Sequence, residues 1–211
     1  MMGVPNRILL YRITHYQNLG FILQNGLHCP NSKIQDPNYV NIGKKDIIGK
    51  RSAKPVRLDP SPGMIHEYVP FYFCPRSPML GSIKVGNSDY KGTQNEIIYL
   101  VTEFERIKEH NCDFVFTDGQ ALIAYSKFFD NESDFDELDW EAIRSRQWGR
   151  NQSDNDKMRR KMAEFLVKDY VPIEAIIGIA VMNKQMEQTV TRIVTQAGIG
   201  IPVKVKTNWY F

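Results

Sequence analysis

The sequence is poor in cysteine and carries no pattern typical of a structural metal site. Its three cysteines, Cys29, Cys74 and Cys112, are an odd number, and none forms a CxxC or Cys/His pair at zinc-ligand spacing. A disulfide framework is therefore not expected, and a reducing compartment suits the chain best. We predict a protein without bound metal that acts in the cytoplasm.

Long apolar runs and glycine-rich phosphate motifs are missing as well. Arg12 interrupts the apolar stretch near the N-terminus, and no later stretch approaches the ~20 apolar residues that a membrane span needs. We expect a soluble protein with no membrane partner. Neither GxxxxGK[ST] nor GxGxxG occurs, which disfavours a P-loop kinase and a Rossmann dehydrogenase.

The chain is long enough for one sizeable core and short for two ordinary domains. It has 211 residues, of which 42% are hydrophobic and 24% charged. No internal repeat and no linker rich in Gly, Ser or Pro divides it. We therefore expect residues 1–211 to form a single domain.

Apolar periodicity predicts an α+β fold around one sheet. The expected strands cover residues 7–14, 68–73, 96–102, 114–117, 176–181 and 203–210. The expected helices cover residues 19–25, 103–109, 139–146, 156–165 and 183–197. Residues 30–62 are polar and basic, and they read as a long loop that holds one short helix. Ordered loops of such length are usually functional.

Charge is small in sum but uneven in placement. The formal net charge is +3, which is weak evidence for any partner. Basic residues gather between positions 44 and 57, and a second basic run from 144 to 161 follows the acidic stretch 130–141. Solvated surface is the ordinary interpretation of such runs, and a polyanion-binding groove is the alternative.

Three places carry residues suited to chemistry. His15 ends the first strand, and Tyr16, Gln17 and Asn18 follow it with donors and acceptors for an amide or a ribose hydroxyl. The alternative is a strand-end turn capped by Asn18.

Arg51 lies in the basic loop IGKKDIIGKRSAKP, where its guanidinium could bind a pyrophosphate or a base carbonyl through two hydrogen bonds. Glu164 interrupts an apolar stripe in RRKMAEFLVKDYVP, either on a helix or where a helix runs into a strand. A carboxylate there could be catalytic or paired with an arginine, and the structural alternative is a contact with Arg160 one turn earlier.

Several blocks of the sequence together resemble the DarT family of DNA ADP-ribosyltransferase toxins. These are YRITH, NYVNIGKKDIIGKR, VPFYFCPRSPML, VFTDGQA and RRKMAEFLV, in that order, over roughly residues 5 to 180. The resemblance implies an ADP-ribosyltransferase-like fold, with a central mixed β-sheet, flanking helices and a loop-helix that covers NAD.

The resemblance also implies roles for individual residues. His15, Tyr16, Gln17 and Asn18 would hold the nicotinamide end of NAD, Arg51 would be the active-site arginine, and Glu164 would be the catalytic glutamate. Residues 113–164 would present the acceptor base. Some relatives carry histidine where this chain has Gln120, which can hydrogen-bond a base but cannot shuttle a proton.

The implied reaction transfers ADP-ribose from NAD to a base of single-stranded DNA, thymine first and guanine second. A base must leave a duplex stack to enter a cleft, so single strands are the natural substrate. Basic and apolar side chains for such a strand are Arg76, Met79, Tyr90, Lys91, Gln120, Arg146, Trp148 and Arg150. Core packing is the alternative for Trp148.

Two other functions remain open from the sequence. One is a non-catalytic module that binds single-stranded nucleic acid, and the other is an ADP-ribosyltransferase that acts on RNA or protein. A carboxylate in a basic cleft would repel phosphate, so His15, Arg51 and Glu164 together favour the enzyme. The resemblance further implies the toxin of a toxin-antitoxin pair, with a macrodomain hydrolase as its antitoxin.

Overall fold

The computed structural model describes residues 3–147, 149 and 154–211. Its strands are β1 (Leu9–His15), β2 (Leu27–His28), β3 (Tyr68–Tyr72), β4 (Ile97–Glu103), β5 (Phe114–Thr117), β6 (Phe128–Phe129), β7 (Glu164–Lys168), β8 (Tyr170–Val171), β9 (Gly178–Val181) and β10 (Val203–Val205). Its α-helices are α1 (Leu19–Asn25), α2 (Lys45–Ser52), α3 (Pro78–Lys84), α4 (Phe104–Glu109), α5 (Trp140–Arg144), α6 (Lys157–Lys161) and α7 (Lys184–Gln196).

One large sheet organises these elements. Its strand order is β10-β9-β4-β1-β3-β7-β5-β6, and β2 pairs with β8 separately. β9 and β10 are parallel, whereas the other neighbours in the large sheet are antiparallel. The predicted α+β class with a central mixed sheet is thereby confirmed.

The sheet is joined narrowly at its middle. β1 and β3 meet at the single pair Tyr11↔Tyr72 among the described residues, although β1 pairs with β4 and β3 pairs with β7 along their lengths. Nη1 of Arg12 donates to the carbonyl of Pro70 at 3.0 Å across this join. The ends of β1 and β3 that lie away from the pair are therefore free to line a cleft.

The apolar core also divides at this join. One face of the sheet carries a continuous cluster that includes Leu10, Phe71 and Phe165. The opposite face carries two separate clusters, one around Tyr99 on β4 and one around Leu166 on β7. Polar side chains near the middle of this second face thus have room between two apolar groups.

Most predicted elements are present, but the helix expected over residues 156–165 is too long. It ends at Lys161, and Glu164 begins β7, as in the alternative in which a helix runs into a strand. Phe165, Leu166 and Val167 are all fully buried, as in a strand covered on both faces, and pairing with β3 and β5 outweighs local helix propensity.

Two further elements are shorter than predicted. The C-terminal strand expected over residues 203–210 stops at Val205, and a 3₁₀ turn follows over Thr207–Trp209. The helix expected over 139–146 is α5, Trp140–Arg144. The short helix expected in the long loop is α2.

The described residues contain no helix able to span a membrane, no metal-binding cluster and no disulfide. Within the described ranges, the helices are all too short or too polar to cross a membrane. The same ranges contain no cluster of three or more His, Cys, Asp or Glu side chains able to hold a metal ion. Cys29, Cys74 and Cys112 are free thiols.

Candidate active site

Glu164 stands at the first position of β7, between β3 and β5. Its backbone N–H donates to Oγ1 of Thr117 at 3.1 Å, and its side chain is almost fully buried, with 4% of the residue exposed. Oε1 accepts the backbone N–H of Ala121 at 3.0 Å. A carboxylate held by a backbone donor at the start of a central strand has a fixed direction.

Arg51 reaches this carboxylate from the last turn of α2. Its Nη1 donates to Oε2 of Glu164 at 2.8 Å, and both side chains are largely enclosed. The alternative partner, Arg160, does not contact Glu164, since it pairs with Asp139, Asp154 and Asp156. The structural alternative of an Arg160 contact is therefore wrong.

One nitrogen of Arg51 has nothing to bind. Nη2 is buried and lacks a hydrogen-bond partner among the described residues. An unmatched buried donor costs about 1–3 kcal/mol. A carbonyl, hydroxyl or phosphate oxygen of a ligand would satisfy it beside the carboxylate of Glu164.

The turn after β5 fixes the donor to Glu164. Nη1 of Arg159 donates to Asp118 at 2.8 Å, and the carbonyl of Arg159 accepts the N–H of Gln120 at 3.2 Å. A Cβ at Gly119 would lie 2.7 Å from Cγ of Arg159 and 3.0 Å from its carbonyl oxygen. Only glycine fits there, and Ala121 is then placed against the carboxylate.

His15 ends β1 on the face of the sheet that carries Tyr11. It is buried, with 4% exposed, and its Nδ1 accepts the N–H of Gln17 at 3.3 Å. Burial lowers the pKa of His15, and the partial opposition of Glu96 does not reverse the direction. The neutral ring therefore carries its proton on Nε2, which lies 4.0 Å from Oε1 of Glu96.

Two aromatic rings support His15. The centroid of Tyr16 lies 4.9 Å from the imidazole centroid, and that of Tyr90 lies 5.6 Å away, edge-on. The hydroxyl of Tyr90 donates to Oε2 of Glu96 at 2.7 Å. Tyr90, which the sequence assigned to the DNA surface, is thus part of the surroundings of His15.

Asn18 anchors the long loop and also lines the groove between β1, α1 and this loop. Its Oδ1 accepts the N–H of Val40 at 2.8 Å, and its Nδ2 donates to the carbonyl of Val40 and to Oγ1 of Thr14, each at 3.0 Å. The strand-end turn of the alternative interpretation is present as a 3₁₀ turn over Tyr16–Asn18, but its capping side chain is His15, and Asn18 makes no side-chain cap bond to α1. The amide is fully used in holding the segment that leads to α2.

A groove beside β1 was not predicted as a site. It lies between β1, α1 and the loop, and its lining includes Arg12, His28, Gln35 and Tyr39. Arg12 has no carboxylate partner in the described chain, and its Nε is buried and unmatched. The one sequence signal for this site was a lone arginine inside an apolar strand.

Tyr72 was also missed by sequence reasoning. It pairs with Tyr11 on one side and with Glu164 on the other, so the three side chains share one face of the sheet. Burial raises the pKa of Tyr72, and the negative charge of Glu164 adds to the effect. The phenol stays protonated at neutral pH and offers a ring and a hydrogen-bond donor beside the carboxylate.

The other predicted DNA-binding residues are scattered. The guanidinium of Arg76 lies 4.5 Å from the ring centroid of Phe211, and the backbone N–H of Arg76 donates to the hydroxyl of Tyr99. Met79 is half-buried in α3. The ammonium of Lys91 donates to the carbonyl of Ser88 at 3.3 Å.

The remaining four residues fall within residues 113–164, and the structure describes two of them. Gln120 is half-buried and adjoins Ala121 on the turn that holds Glu164. Arg146 is exposed after α5. Trp148 and Arg150 lie outside the described residues, so the alternatives for Trp148 remain predictions.

Comparison with known proteins identifies the family. The family described as "ssDNA thymidine ADP-ribosyltransferase, DarT" matches residues 11–211 of this chain. A DNA ADP-ribosyl transferase of Thermus aquaticus is 38% identical to this chain, and the alignment covers 100% of this chain and 92% of the relative. One from Escherichia coli O127:H6 is 36% identical over 98% of this chain and 95% of its own.

Solved structures agree with the sequence comparison. DarT of Thermus sp. 2.9 in complex with ADP-ribosylated ssDNA has a TM-score of 0.92 and 33% identity, over 100% of this chain and 99% of that one. The same protein in complex with NAD+ has a TM-score of 0.85 and 32% identity, and the match covers 98% of this chain and 99% of that one.

These findings confirm the predicted fold and the predicted activity of an NAD-dependent DNA ADP-ribosyltransferase, with NAD as the co-substrate. The polar face of the sheet that holds Glu164, Arg51 and Tyr72 is accordingly the candidate catalytic centre. The chain belongs to the DarT family of single-stranded DNA thymidine ADP-ribosyltransferases.

Proposed function

We propose that Glu164 and Arg51 transfer ADP-ribose from NAD to a thymine of single-stranded DNA. The observation that carries the proposal is their ion pair at 2.8 Å, with one arginine nitrogen buried and unmatched. A binding module has no need of a carboxylate there, because the carboxylate would repel phosphate. A transferase needs the negative charge of Glu164 to stabilise the ribose cation and the positive charge of Arg51 to bind an oxygen of the ligand.

The first step breaks the bond between nicotinamide and C1 of its ribose. Positive charge develops on the ribose, and Glu164 stabilises it through a hydrogen bond from the ribose 2-hydroxyl. The N–H of Ala121 and Nη1 of Arg51 hold the two carboxylate oxygens in place. Because the direction is set before the reaction, little reorganisation is needed in the transition state.

The second requirement is loss of a proton from the acceptor. As the bond from C1 to N3 of thymine forms, the N3 proton must leave. Nη2 of Arg51 can bind a thymine carbonyl and favour the deprotonated base, and Glu164 can take the proton. Gln120 can hydrogen-bond the base but takes no proton.

We place the rest of NAD along β1. His15, Tyr16 and Gln17 surround the strand end, where the neutral ring of His15 is a fixed donor and acceptor. The diphosphate would lie near Arg12, whose cation has no carboxylate partner in the described ranges. Asn18 contributes indirectly, because it holds the loop at Val40.

The biological role follows from the product. ADP-ribose on thymine N3 blocks the edge that pairs with adenine, so the modification harms the cell that makes it. We propose that the chain is a toxin, that a macrodomain hydrolase removes the modification as its antitoxin, and that the toxin acts in the cytoplasm. We also propose that residues 1–211 act as one domain, which the match over residues 11–211 supports.

The purified protein should be incubated with NAD and a panel of single-stranded DNA, RNA and protein acceptors. Nicotinamide release and acceptor mass are then measured together. A thymine-containing DNA oligonucleotide heavier by one ADP-ribose supports the proposal, and a matched oligonucleotide without thymine should stay unchanged. Modification of RNA or protein alone, or DNA binding without nicotinamide release, contradicts it.

A further inference from the structure

Tyr125 is the most exposed aromatic side chain among the described residues. It is 69% exposed, against 46% for Tyr39 and 40% for Tyr170. A single exposed aromatic residue is ordinary on a protein surface. Its position and its immediate partners give this one a different meaning.

Tyr125 lies on the turn that fixes the catalytic carboxylate. Oγ of Ser126 donates to the carbonyl of Gln120 at 2.8 Å, which closes the turn on itself. Nη2 of Arg57 donates to the carbonyls of Ile123 and Ser126 at 2.9 and 2.6 Å. The exposed ring is therefore carried by a well-tied turn, four residues after the Ala121 N–H that binds Glu164.

One face of the ring is already occupied. The guanidinium of Arg159 lies 5.1 Å from the ring centroid, and two carboxylates, Asp118 and Asp156, hold that guanidinium at 2.8 Å each. The phenol hydroxyl also donates to Asp156 at 3.4 Å. The ring is ordered before any ligand arrives, so a base that stacks on it loses little additional side-chain entropy.

The negative charge beside the ring is partly balanced. Asp118 and Asp156 both pair with Arg159, and Asp156 also pairs with Arg160. Lys127, two residues after Tyr125, is exposed and pairs with Glu137. Because the repulsion of phosphate is reduced but not removed, the site suits a base stacked on the ring better than a phosphate contact.

We infer that Tyr125 is a stacking platform for an unpaired DNA base next to the target thymine. The inference rests on the proposed function, in which this turn presents the acceptor base to Glu164. Stacking between a base and an aromatic ring fixes the neighbouring nucleotide and so limits the positions that the target base can take. Tyr125 is a positioning residue, since it does not touch the reacting atoms.

The test measures DNA affinity and transfer separately. Affinity is measured with a fluorescent single-stranded oligonucleotide in a Glu164→Gln background, so that the DNA stays unmodified. Tyr125→Ala should raise the Kd about tenfold, up to about 100-fold, whereas Tyr125→Phe should keep the parent value. In the active protein, Tyr125→Ala should raise KM for DNA and leave KM for NAD unchanged. Val4→Ala, an exposed residue before β1, is the control.

Abasic substitutions make the test specific to stacking. Each oligonucleotide of a series carries one abasic position. At one position that flanks the target thymine, the missing base should weaken binding to the parent, whereas binding to Tyr125→Ala should not weaken further. Parent-like affinity in Tyr125→Ala, or an equal loss in Tyr125→Phe, contradicts the inference. Failure of the parent to modify any DNA would instead contradict the proposed function, so the two failures are distinguishable.

Discussion

Nη1 of Arg51 donates to Oε2 of Glu164 at 2.8 Å across a sequence separation of 113 residues. The contact ties α2, which follows the long loop, to the first residue of the central strand β7. Ordering of the loop and orientation of the carboxylate are therefore coupled. NAD bound under the loop would bring both charges to the reacting bond together.

Arg51→Lys tests whether the guanidinium geometry matters. Lysine keeps the charge but cannot bind Glu164 and a ligand oxygen in a fixed plane. We expect the transfer rate to fall about 10²-fold or more, with an unchanged fold by circular dichroism. Lys50→Ala is the matched control, because Lys50 is exposed on the same helix. Transfer by Arg51→Lys at the parent rate would show that the guanidinium geometry plays no part in the reaction.

Gly119→Ala tests the turn that holds Glu164. The added Cβ must push Arg159 aside, and the strain should cost about 1–3 kcal/mol of unfolding free energy. Transfer should fall as Ala121 shifts. Gly20→Ala in α1 has open space around its Cβ and should be neutral or stabilising by up to about 1 kcal/mol. Urea unfolding of both variants measures the difference, and equal stability would refute the close fit.

Asn18→Ala tests the anchor of the loop. It removes three hydrogen bonds at a buried site and leaves the backbone of Val40 unmatched, which should cost about 1–3 kcal/mol. KM for NAD should rise more than kcat falls, because the loop is mispositioned while the Arg51–Glu164 pair, which we propose is catalytic, is intact. Asn25→Ala, which loses one bond within α1, is the comparison. A lower kcat with unchanged KM would place Asn18 in the chemistry instead.

The pH dependence of stability tests the state of His15. Its folded pKa lies below its unfolded value, so the unfolded chain binds the proton more readily. The contribution of His15 to the unfolding free energy is fully present above the unfolded pKa of about 6.5, and it is lost as the pH falls below that value. The drop in unfolding free energy from pH 8 to pH 5.5 should be smaller in His15→Gln than in the parent. An equal or larger drop in the variant would contradict a buried neutral histidine.

Local patterns in the sequence predicted much of the fold. The strand that ends at His15 and the helix Leu19–Asn25 follow from apolar periodicity and from Gly26, which ends the helix. The helix before Glu164 was predicted to be four residues too long at its end, because KMAEFL consists mostly of good helix formers. The strand state of Glu164 and the residues after it comes from pairing with β3 and β5, which no local window contains.

The sequence indicated which residues form the candidate site but not how their side chains are arranged. Arg51 and Glu164 were named from the resemblance, but their direct contact depends on a fold that brings distant segments together. Ala121 acts through its backbone N–H, which leaves no trace in residue type. Tyr72 and Tyr125 looked like ordinary apolar or loop residues, and their position relative to Glu164 gives them meaning.

The most direct test of the catalytic assignment is single-turnover transfer by Glu164→Gln with saturating NAD and a thymine-containing DNA strand. Glutamine keeps an acceptor for Ala121 but removes the negative charge. The account predicts a rate at least about 10²-fold lower, with NAD and DNA affinities and thermal unfolding close to those of the parent. Transfer at the parent rate by a folded Glu164→Gln protein would contradict it.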